Sequence, residues 1–281
     1  MKIIECPRDA MQGYEKFIPT ENKIKYINQL LKVGFDTIDF GSFVSPKAIP
    51  QLKDTEDVLN GLNFDFTSSK LLAIIANYRG ANDACNFEQI DYLGFPLSVS
   101  QEFQKRNTNK SINQALHVLE KIQVLCLKNK KKLVVYLSMA FGNPYSENYH
   151  PDLVALLTKK LNDLEINIVA LSDTIGVSNT ANITPLFTTL IKEYPLIEFG
   201  AHFHTTTENW KEKVVAAYKS GCKRFDGALK GYGGCPMAND KLVGNMPTEN
   251  LVSYFSTNLE LDQNELKKAL NLSNIIFNFK I

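Results

Sequence analysis

The 281-residue chain lacks the features that direct a protein to membranes, nucleic acid or an oxidising compartment. Its 31 basic and 30 acidic residues nearly cancel, which leaves no polybasic surface for nucleic acid or anionic lipid. The five cysteines are odd in number and include no C-x-x-C pair, so neither a disulfide framework nor a zinc knuckle is predicted. Without an 18-residue apolar run or a secretory or transit signal, we expect a cytoplasmic protein whose partner is a small molecule.

The chain also lacks internal repeats, low-complexity tracts and linkers rich in proline, glycine and serine, so residues 1–281 are expected to form one domain. What it does contain is a series of short apolar runs rich in β-branched and aromatic residues. Several are continuously apolar, as strands covered by helices on both faces are. The eight runs begin at residues 2, 35, 71, 90, 132, 166, 197 and 224.

Segments with helical spacing separate most of these runs, because apolar residues recur three and four positions apart within 24–31, 112–122, 153–161 and 183–191. Eightfold alternation of this kind predicts a (β/α)₈ TIM barrel, with an open doubly wound sheet as the main alternative. The segment 78–89 is short and polar, and no helix is predicted there. Two more helices, near 248–257 and from about 263, predict a C-terminal helical extension over 248–281, the second opened by a capping box of Asp262 and Glu265.

The stretch "GAHFHTTTENW" places His202 and His204 two residues apart at the polar end of the seventh run. Side chains at i and i+2 of a strand point to the same face, so both imidazoles would project into one space. An isolated H-x-H is more commonly a half-buried pair that hydrogen-bonds to nearby carbonyls. The other polar residues must therefore decide between a ligand pair and a packed pair.

Those polar residues collect at the predicted carboxyl ends of the strands, where barrel enzymes carry their chemistry. They are Arg8, Asp9 and Gln12 after strand one, Asp39 and Ser42 after strand two, Asp173 after strand six, and the segment "GYGGCPMANDKLVGN" after strand eight. A carboxylate from strand one, two imidazoles from strand seven and an amide oxygen from the last loop make a mixed N/O ligand set. Such a set favours Mg²⁺ or Mn²⁺, with positions left open for water and substrate oxygens.

Five segments carry a resemblance to a known family: "PRDAMQ", "SFVSPKAIPQ", "SDTIGV", "AHFH" and "GGCPMANDKLVGN". In their order and spacing they resemble the 3-hydroxy-3-methylglutaryl-CoA lyases, a branch of the metal-dependent lyases and acyl-CoA condensing enzymes built on TIM barrels. The resemblance runs from residue 3 to about residue 257. It implies cleavage of 3-hydroxy-3-methylglutaryl-CoA to acetyl-CoA and acetoacetate, an acyl-CoA thioester as partner, a divalent cation and a homodimer.

The resemblance also implies roles for individual residues. The cation ligands would be Asp9, His202, His204 and Asn245. The catalytic residues would be Arg8, which stabilises the enolate, Asp9 or Asp39 as the base, Cys235 as a proton donor on a glycine-rich loop, and Asp173 nearby. Contacts to the acyl-CoA are expected from Gln12, Ser42, Lys47, Lys105 and Arg106, the last two close to a helix start where phosphates would bind together with Lys110.

Three positions and one spacing depart from the usual pattern of this family. Asp39 stands in place of Glu, Thr205 in place of Asp and Ala10 in place of Gly, and the span from Cys235 to Asn245 is one residue longer. These departures keep open a related carbon–carbon lyase or aldolase that acts on another 3-hydroxyacyl-CoA or a 2-oxo acid. Two further alternatives are a zinc hydrolase, which would carry H-x-H on its first strand, and a non-catalytic barrel that binds CoA thioesters.

Overall fold

The computed structural model describes residues 1–234 and 243–277. Its strands are β1 Lys2–Glu5, β2 Thr37–Ser42, β3 Lys70–Ile74, β4 Ile90–Ser98, β5 Lys132–Ser138, β6 Ile168–Asp173, β7 Glu198–Thr205, β8 Arg224–Gly227 and β9 Gly244–Asn245. Its helices are α1 Pro7–Gln12, α2 Thr20–Leu31, α3 Thr55–Asn60, α4 Tyr78–Cys85, α5 Gln101–Thr108, α6 Ile112–Lys128, α7 Pro151–Asp163, α8 Thr180–Glu193, α9 Trp210–Lys219, α10 Thr248–Tyr254 and α11 Gln263–Phe277.

Strands β1 to β8 form a closed parallel barrel. Each pairs in parallel with the next along the chain, and β8 pairs with β1, so no edge is left open. This closure confirms the predicted (β/α)₈ TIM barrel and excludes the open doubly wound sheet. Each of the eight predicted apolar runs overlaps one strand of the barrel.

Two apolar cores stabilise the barrel. The larger lies between the strands and the surrounding helices. The smaller fills the barrel itself and is formed by side chains of three strands: Leu72, Ile74, Val134, Tyr136, Ile168 and Ala170. Toward the carboxyl ends of the strands the barrel interior becomes polar. Among the helices of the described ranges, none is both long and apolar enough to cross a membrane.

The prediction of no helix between residues 78 and 89 is wrong, because α4 occupies Tyr78–Cys85. Asn77 caps it by accepting a hydrogen bond from the amide of Gly80. The buried face of α4 consists of Gly80, Ala81 and Ala84, so no large apolar residue marks its period in the sequence. A Cβ atom at Gly80 would lie 2.4 Å from the carbonyl oxygen of Phe43, which shows how closely this helix approaches the β2 loop.

The C-terminal helices α10 and α11 confirm the predicted helical extension. Asp262 caps α11 because its Oδ1 accepts hydrogen bonds from the amides of Asn264 (2.9 Å) and Glu265 (3.0 Å). The second half of the predicted capping box is not formed. The amide of Asp262 donates to the carbonyl of Val33, and the Glu265 carboxylate accepts from Gln29 instead, so this helix start is tied to α2 and the turn after it.

A buried carboxyl, Glu5, links β1 to the C-terminal part of the chain. It is fully buried, accepts hydrogen bonds from the amide of Leu229 (3.0 Å) and the hydroxyl of Thr248, and has a pKa that burial raises from 4.5 to about 8 even though both hydrogen bonds lower it. A carboxyl whose pKa is higher in the folded state stabilises the fold at low pH. That contribution declines as pH rises from about 4.5 through about 8.

We therefore expect Glu5→Gln, which cannot ionise, to unfold at a higher temperature than the wild type at pH 8.5. The advantage should be on the order of several °C, since ~1 kcal/mol moves the Tm of a domain this large by about 2–4 °C. At pH 4 the difference should nearly disappear, because the wild-type carboxyl is then protonated in both the folded and the unfolded state. Thermal unfolding followed by circular dichroism at both pH values measures this, and a pH-independent difference would contradict the prediction.

Candidate active site

One cavity of about 470 Å³ opens at the carboxyl ends of the strands, the face on which barrel enzymes carry their sites. Its floor is polar, and its walls are partly apolar through side chains such as Val44, Ile74 and Pro96. Helix α1, the β2 loop, helix α5 and strands β3 to β7 all contribute to it. The polar lining residues are Arg8, Asp9, Gln12, Arg106, Asn107, Thr108, Tyr136, Ser138, Ser172, Thr174, His202 and His204.

His202 and His204 both line this cavity, as the alternation of side chains along β7 predicts. Asp9 faces them from α1, where Pro7 ends β1 and begins a helical turn directly below the cavity. One ligand atom from each of Asp9, His202 and His204 lies within 4.8 Å of the other two. Ligands about 2.1 Å from a common ion are separated by at most about 4.2 Å, so small side-chain movements bring these three onto one cation.

A second carboxylate, Asp226 on β8, orients the first histidine. The register of β7 and β8 pairs His202 with Asp226, whose Oδ2 lies 3.2 Å from the ring Nδ1. The other ring nitrogen, Nε2, lies 3.8 Å from the Asp9 carboxylate. A carboxylate on the far nitrogen of a histidine ligand fixes its ring and tautomer. Asp226 was not predicted from the sequence, although residues two apart on β8, Arg224 and Asp226, share one face of the strand.

The protonation states of Asp9 and His204 suit a cation. Burial raises the pKa of Asp9, but the charges of Arg8, His202 and His204 and a hydrogen bond from Asn245 outweigh burial and bring it down to about 2. Burial and the neighbouring His202 lower the pKa of His204 to about 4. Asp9 is therefore a carboxylate and His204 a neutral imidazole at neutral pH, the forms that bind metal ions.

Asn245 joins this group through a short antiparallel pairing between β9 and the end of β7, which places it opposite His204. Its side chain is buried, and its Nδ2 donates a hydrogen bond to the carbonyl of Tyr232 (2.9 Å). The same side chain also forms a hydrogen bond with the Asp9 carboxylate. The amide nitrogen is thus occupied, while the amide oxygen is the atom of the right chemistry for a divalent cation. The donor atoms of Asp9, His202, His204 and Asn245 are chemically suited to a divalent cation.

Arg8 lies beside this group on the cavity floor. Its Nε and one terminal nitrogen donate to the Asp39 carboxylate, at 3.0 and 2.6 Å to Oδ2, and the other terminal nitrogen donates to Asp9 (2.8 Å) and Gln12 (3.0 Å). A guanidinium has five N–H groups, so in the described part of the chain one is left without a partner. Asp39 and Gln12 therefore hold a permanent cation in place with a donor to spare for a bound molecule.

The comparison with known families decides the family of this chain, because the model of the HMGL-like family matches residues 2–276. The chain belongs to the HMGL-like family. A hydroxymethylglutaryl-CoA lyase of Bacillus subtilis is 33% identical, over 94% of this chain and 88% of that protein. The mitochondrial enzyme of the same name from Rattus norvegicus is 31% identical over 98% of this chain and 84% of its own length.

Solved structures of HMGL-like proteins superpose on the whole barrel. An HMG-CoA lyase from Acinetobacter baumannii, in complex with coenzyme A and 3-methylmalate, matches with a TM-score of 0.90 and 31% identity over 99% of this chain and 91% of that one. The HMG-CoA lyase of Bacillus subtilis matches with the same TM-score and identity over 98% and 92% of the two chains. The H-x-H pair lies on β7, whereas the zinc hydrolase alternative expects it on the first strand.

Of the five residues expected to bind the substrate in this HMGL-like chain, two line the cavity and three do not. Gln12 and Arg106 line the cavity, and Arg106 lies at its rim, paired with Glu102 (2.7 Å). Ser42, Lys47 and Lys105 do not line it: Ser42 is buried and accepts a hydrogen bond from the amide of Val44, whereas the two lysines are exposed.

The helix start expected near Lys105 and Arg106 is that of α6, which Ser111 caps. Both residues lie in the last turn of α5, and the next helix, α6, begins only at Ile112. Two amides of the first turn of α6 have side-chain partners: the Ser111 hydroxyl accepts from Gln114, and the side chain of Gln101 accepts from Ile112.

Two of the remaining predicted catalytic residues, Asp39 and Asp173, are not among the residues that line the cavity. Asp39 is completely buried behind Arg8 and does not line the cavity; burial raises its pKa to about 6, although the charge of Arg8 and their hydrogen bonds lower it. Asp173 also lies outside the cavity lining, and its carboxylate accepts hydrogen bonds from Lys213 (2.7 Å) and from the Ser178 hydroxyl (2.6 Å). Cys235 lies outside the described residues.

Proposed function

We propose that this chain cleaves 3-hydroxy-3-methylglutaryl-CoA to acetyl-CoA and acetoacetate with the help of Mg²⁺ or Mn²⁺. The observation that carries the proposal is the convergence of Arg8 with Asp9, His202 and His204 on the floor of one cavity. The names of the HMGL-like relatives, which match nearly end to end at 31–33% identity, support the same reaction.

The reaction breaks the C2–C3 bond of the thioester as the C3 hydroxyl loses its proton. The electron pair of that bond becomes an enolate at the thioester, and protonation of the enolate carbon gives acetyl-CoA, while the C3 oxygen becomes the ketone of the departing acetoacetate. A bound divalent cation would lower the pKa of the C3 hydroxyl and orient it. Asp9, His202, His204 and Asn245 would hold that cation.

Arg8 supplies the counter-charge for the enolate. Its unpaired N–H is available to the thioester oxygen, and Asp39 and Gln12 hold the guanidinium rigid, so little reorganisation is needed as charge develops. This assigns Asp39 the orientation of Arg8 through two parallel hydrogen bonds. Asp9 or Asp39 as the base and Cys235 as the proton donor stay predictions.

The acyl group would lie against the apolar wall of Val44, Ile74 and Pro96, with the CoA portion leaving past α5. Arg106 at the cavity rim is the cation that we assign to a CoA phosphate. The complex of the Acinetobacter baumannii relative with coenzyme A supports an acyl-CoA in this family. A homodimer and a cytoplasmic location stay predictions. Free thiols in the described ranges are consistent with a reducing compartment; they are Cys6, Cys85, Cys126 and Cys222.

A product assay tests the proposal against its closest alternative, a lyase for another 3-hydroxyacyl-CoA. The purified chain should release acetoacetate and acetyl-CoA from 3-hydroxy-3-methylglutaryl-CoA, and turnover of citramalyl-CoA should be at least ~10-fold slower in kcat/KM, since one altered pocket contact is worth about 1–3 kcal/mol. A chelator should stop release, and added Mg²⁺ or Mn²⁺ should restore it.

Each contrary result supports a different alternative. Faster cleavage of citramalyl-CoA would support the related carbon–carbon lyase. That alternative was kept open because Asp39 stands where the family usually has Glu. Cleavage that continues in the presence of chelator would contradict the role of the cation. Binding of the thioester without any cleavage would support the non-catalytic barrel.

A further inference from the structure

A fully buried lysine, Lys213 on α9, lies directly behind the metal-binding end of β7. Its side chain is 0% exposed, and its Nζ is within hydrogen-bond distance of three acceptors. They are the Oδ2 of Asp173 at 2.7 Å, the carbonyl oxygen of Gly176 at 3.0 Å and the carbonyl oxygen of His204 at 3.0 Å. An ammonium group has three protons, so each has one acceptor and the buried charge has one counter-ion.

These three acceptors belong to the two strand ends that shape the cavity. Asp173 ends β6, Gly176 belongs to the turn that follows, and His204 is near the end of β7. Lys213 thus bridges the neighbouring strands at their carboxyl ends, where no further ladder hydrogen bonds hold them: the pairing of β6 with β7 stops at Asp173 and Phe203.

The turn after β6 also determines the ring orientation of His204, because that ring forms a hydrogen bond with the backbone of Thr174. Asp173 in turn holds this turn in place. Its carboxylate accepts hydrogen bonds from the amides of Val177 (2.8 Å) and Ser178 (3.1 Å) as well as from Lys213. His204 is therefore held twice by the same ammonium, directly at its carbonyl and indirectly at its ring.

The residue after His204 provides no such support. Thr205 stands where the family commonly has Asp, and its buried hydroxyl has no hydrogen-bond partner among the described residues. It supplies no carboxylate to orient the neighbouring imidazole, in contrast to Asp226, which orients His202.

We propose that Lys213, through its ion pair with Asp173, is the positioning residue for the metal ligand His204. This inference deepens the proposed function and depends on it for the identity of the bound ion. Lys213 touches neither the cavity nor the substrate, and it acts by fixing the backbone and the ring of His204. It also assigns Asp173 a role: that carboxylate balances the charge of Lys213 and holds the turn after β6.

The test compares Lys213→Met with Lys23→Met by measuring the dissociation constant of Mn²⁺ with electron paramagnetic resonance. Lys23 is a matched control, since it is also buried (1% exposed) and ion-paired, with Asp54 at 2.6 Å, but it lies on α2, away from β7. We expect Lys213→Met to weaken Mn²⁺ binding by about 10- to 100-fold, the range for loss of a group that orients a ligand. Lys23→Met should change it by less than ~2-fold, even if both variants lower the unfolding temperature.

Lys213→Met leaves Asp173 as an unpaired buried carboxylate, which by itself is destabilising. The double variant Lys213→Met with Asp173→Asn removes that charge and keeps the measurement possible if the single variant does not fold. It too should bind Mn²⁺ at least ~10-fold more weakly than the wild type. In Lys213→Gln, a side-chain amide that donates to the His204 carbonyl should recover part of the affinity.

Normal Mn²⁺ affinity in a folded Lys213→Met or double variant would overturn the inference, and so would an equal loss in Lys23→Met, because the effect would then follow stability alone. The product assay separates this from the lyase proposal. If the wild type binds Mn²⁺ and Lys213→Met binds it weakly, but neither cleaves the thioester, the positioning role stands and the proposed reaction fails. If the wild type cleaves and Lys213→Met keeps its Mn²⁺ affinity, the reaction stands and the positioning role fails.

Discussion

Replacing Arg8 with glutamine is expected to lower kcat for thioester cleavage by ~10²- to 10³-fold, the usual loss when one preorganised donor to a developing oxyanion is removed. Glutamine can still donate a hydrogen bond, but it has no charge and cannot keep both Asp39 and Asp9 paired as the guanidinium does. Steady-state rates at saturating Mn²⁺ and thioester measure the effect. The kcat of Arg8→Lys should lie between those of the wild type and Arg8→Gln, because lysine keeps the charge but lacks the planar guanidinium.

The Arg8→Gln protein should remain folded, because the cluster can compensate for the lost charge. Burial already raises the pKa of Asp39 to about 6 with Arg8 in place, and without that cation the pKa rises further, so Asp39 takes up a proton near neutral pH. In the wild type, Arg8, Asp39 and Asp9 have a net charge of −1. In the variant the net charge is still −1, because Asp39 is protonated and only Asp9 is ionised. Mn²⁺ should therefore bind at least as tightly as before. A fall in kcat of less than tenfold, or a parallel loss of Mn²⁺ binding, would contradict the role assigned to Arg8.

The barrel was predictable from the sequence because its strands are buried on both faces and rich in β-branched and aromatic residues. Runs such as "KLVVYLS" and "INIVALSD" need no tertiary information to be recognised. Helix α4 was not predictable in this way, since its buried face is made of glycine and alanine. Small residues allow close packing against the β2 loop, but they carry almost no hydrophobic periodicity.

The metal-binding group was predictable in outline for a similar reason. The spacing of His202 and His204 together with their position at a strand end placed both rings on one face, and Asp9 was expected from its position after the first strand and from the family resemblance. The supporting residues were not found. Asp226 lies inside the run "RFDGALKG", where its pairing with His202 requires the β7–β8 register, and Lys213 on an amphipathic helix resembles any solvated lysine.

Replacing Asp9 with asparagine should have the largest effect on the cation site. Asp9 is the one anionic member of the proposed ligand set, and its low pKa, about 2, shows that the ionised carboxylate is the form that Arg8 and the two imidazoles favour. Asparagine has nearly the same shape but no charge. We expect the Mn²⁺ dissociation constant to rise by more than ~100-fold, beyond the range for residues that only orient a ligand, with cleavage undetectable at Mn²⁺ concentrations that saturate the wild type.

Asp9→Glu separates charge from position at the same site. The added methylene keeps the carboxylate but moves it by roughly 1 Å, and a displacement of that size at a reacting centre costs about 10²-fold in rate. The glutamate variant should therefore bind Mn²⁺ far better than the asparagine variant and still cleave slowly. Mn²⁺ titrations and kcat at saturating metal, measured on both variants with their unfolding temperatures, distinguish the two effects. If Asp9→Asn kept its Mn²⁺ affinity within about threefold, Asp9 would not be a ligand, and His202 and His204 would have to be interpreted as the packed pair that an isolated H-x-H more commonly forms.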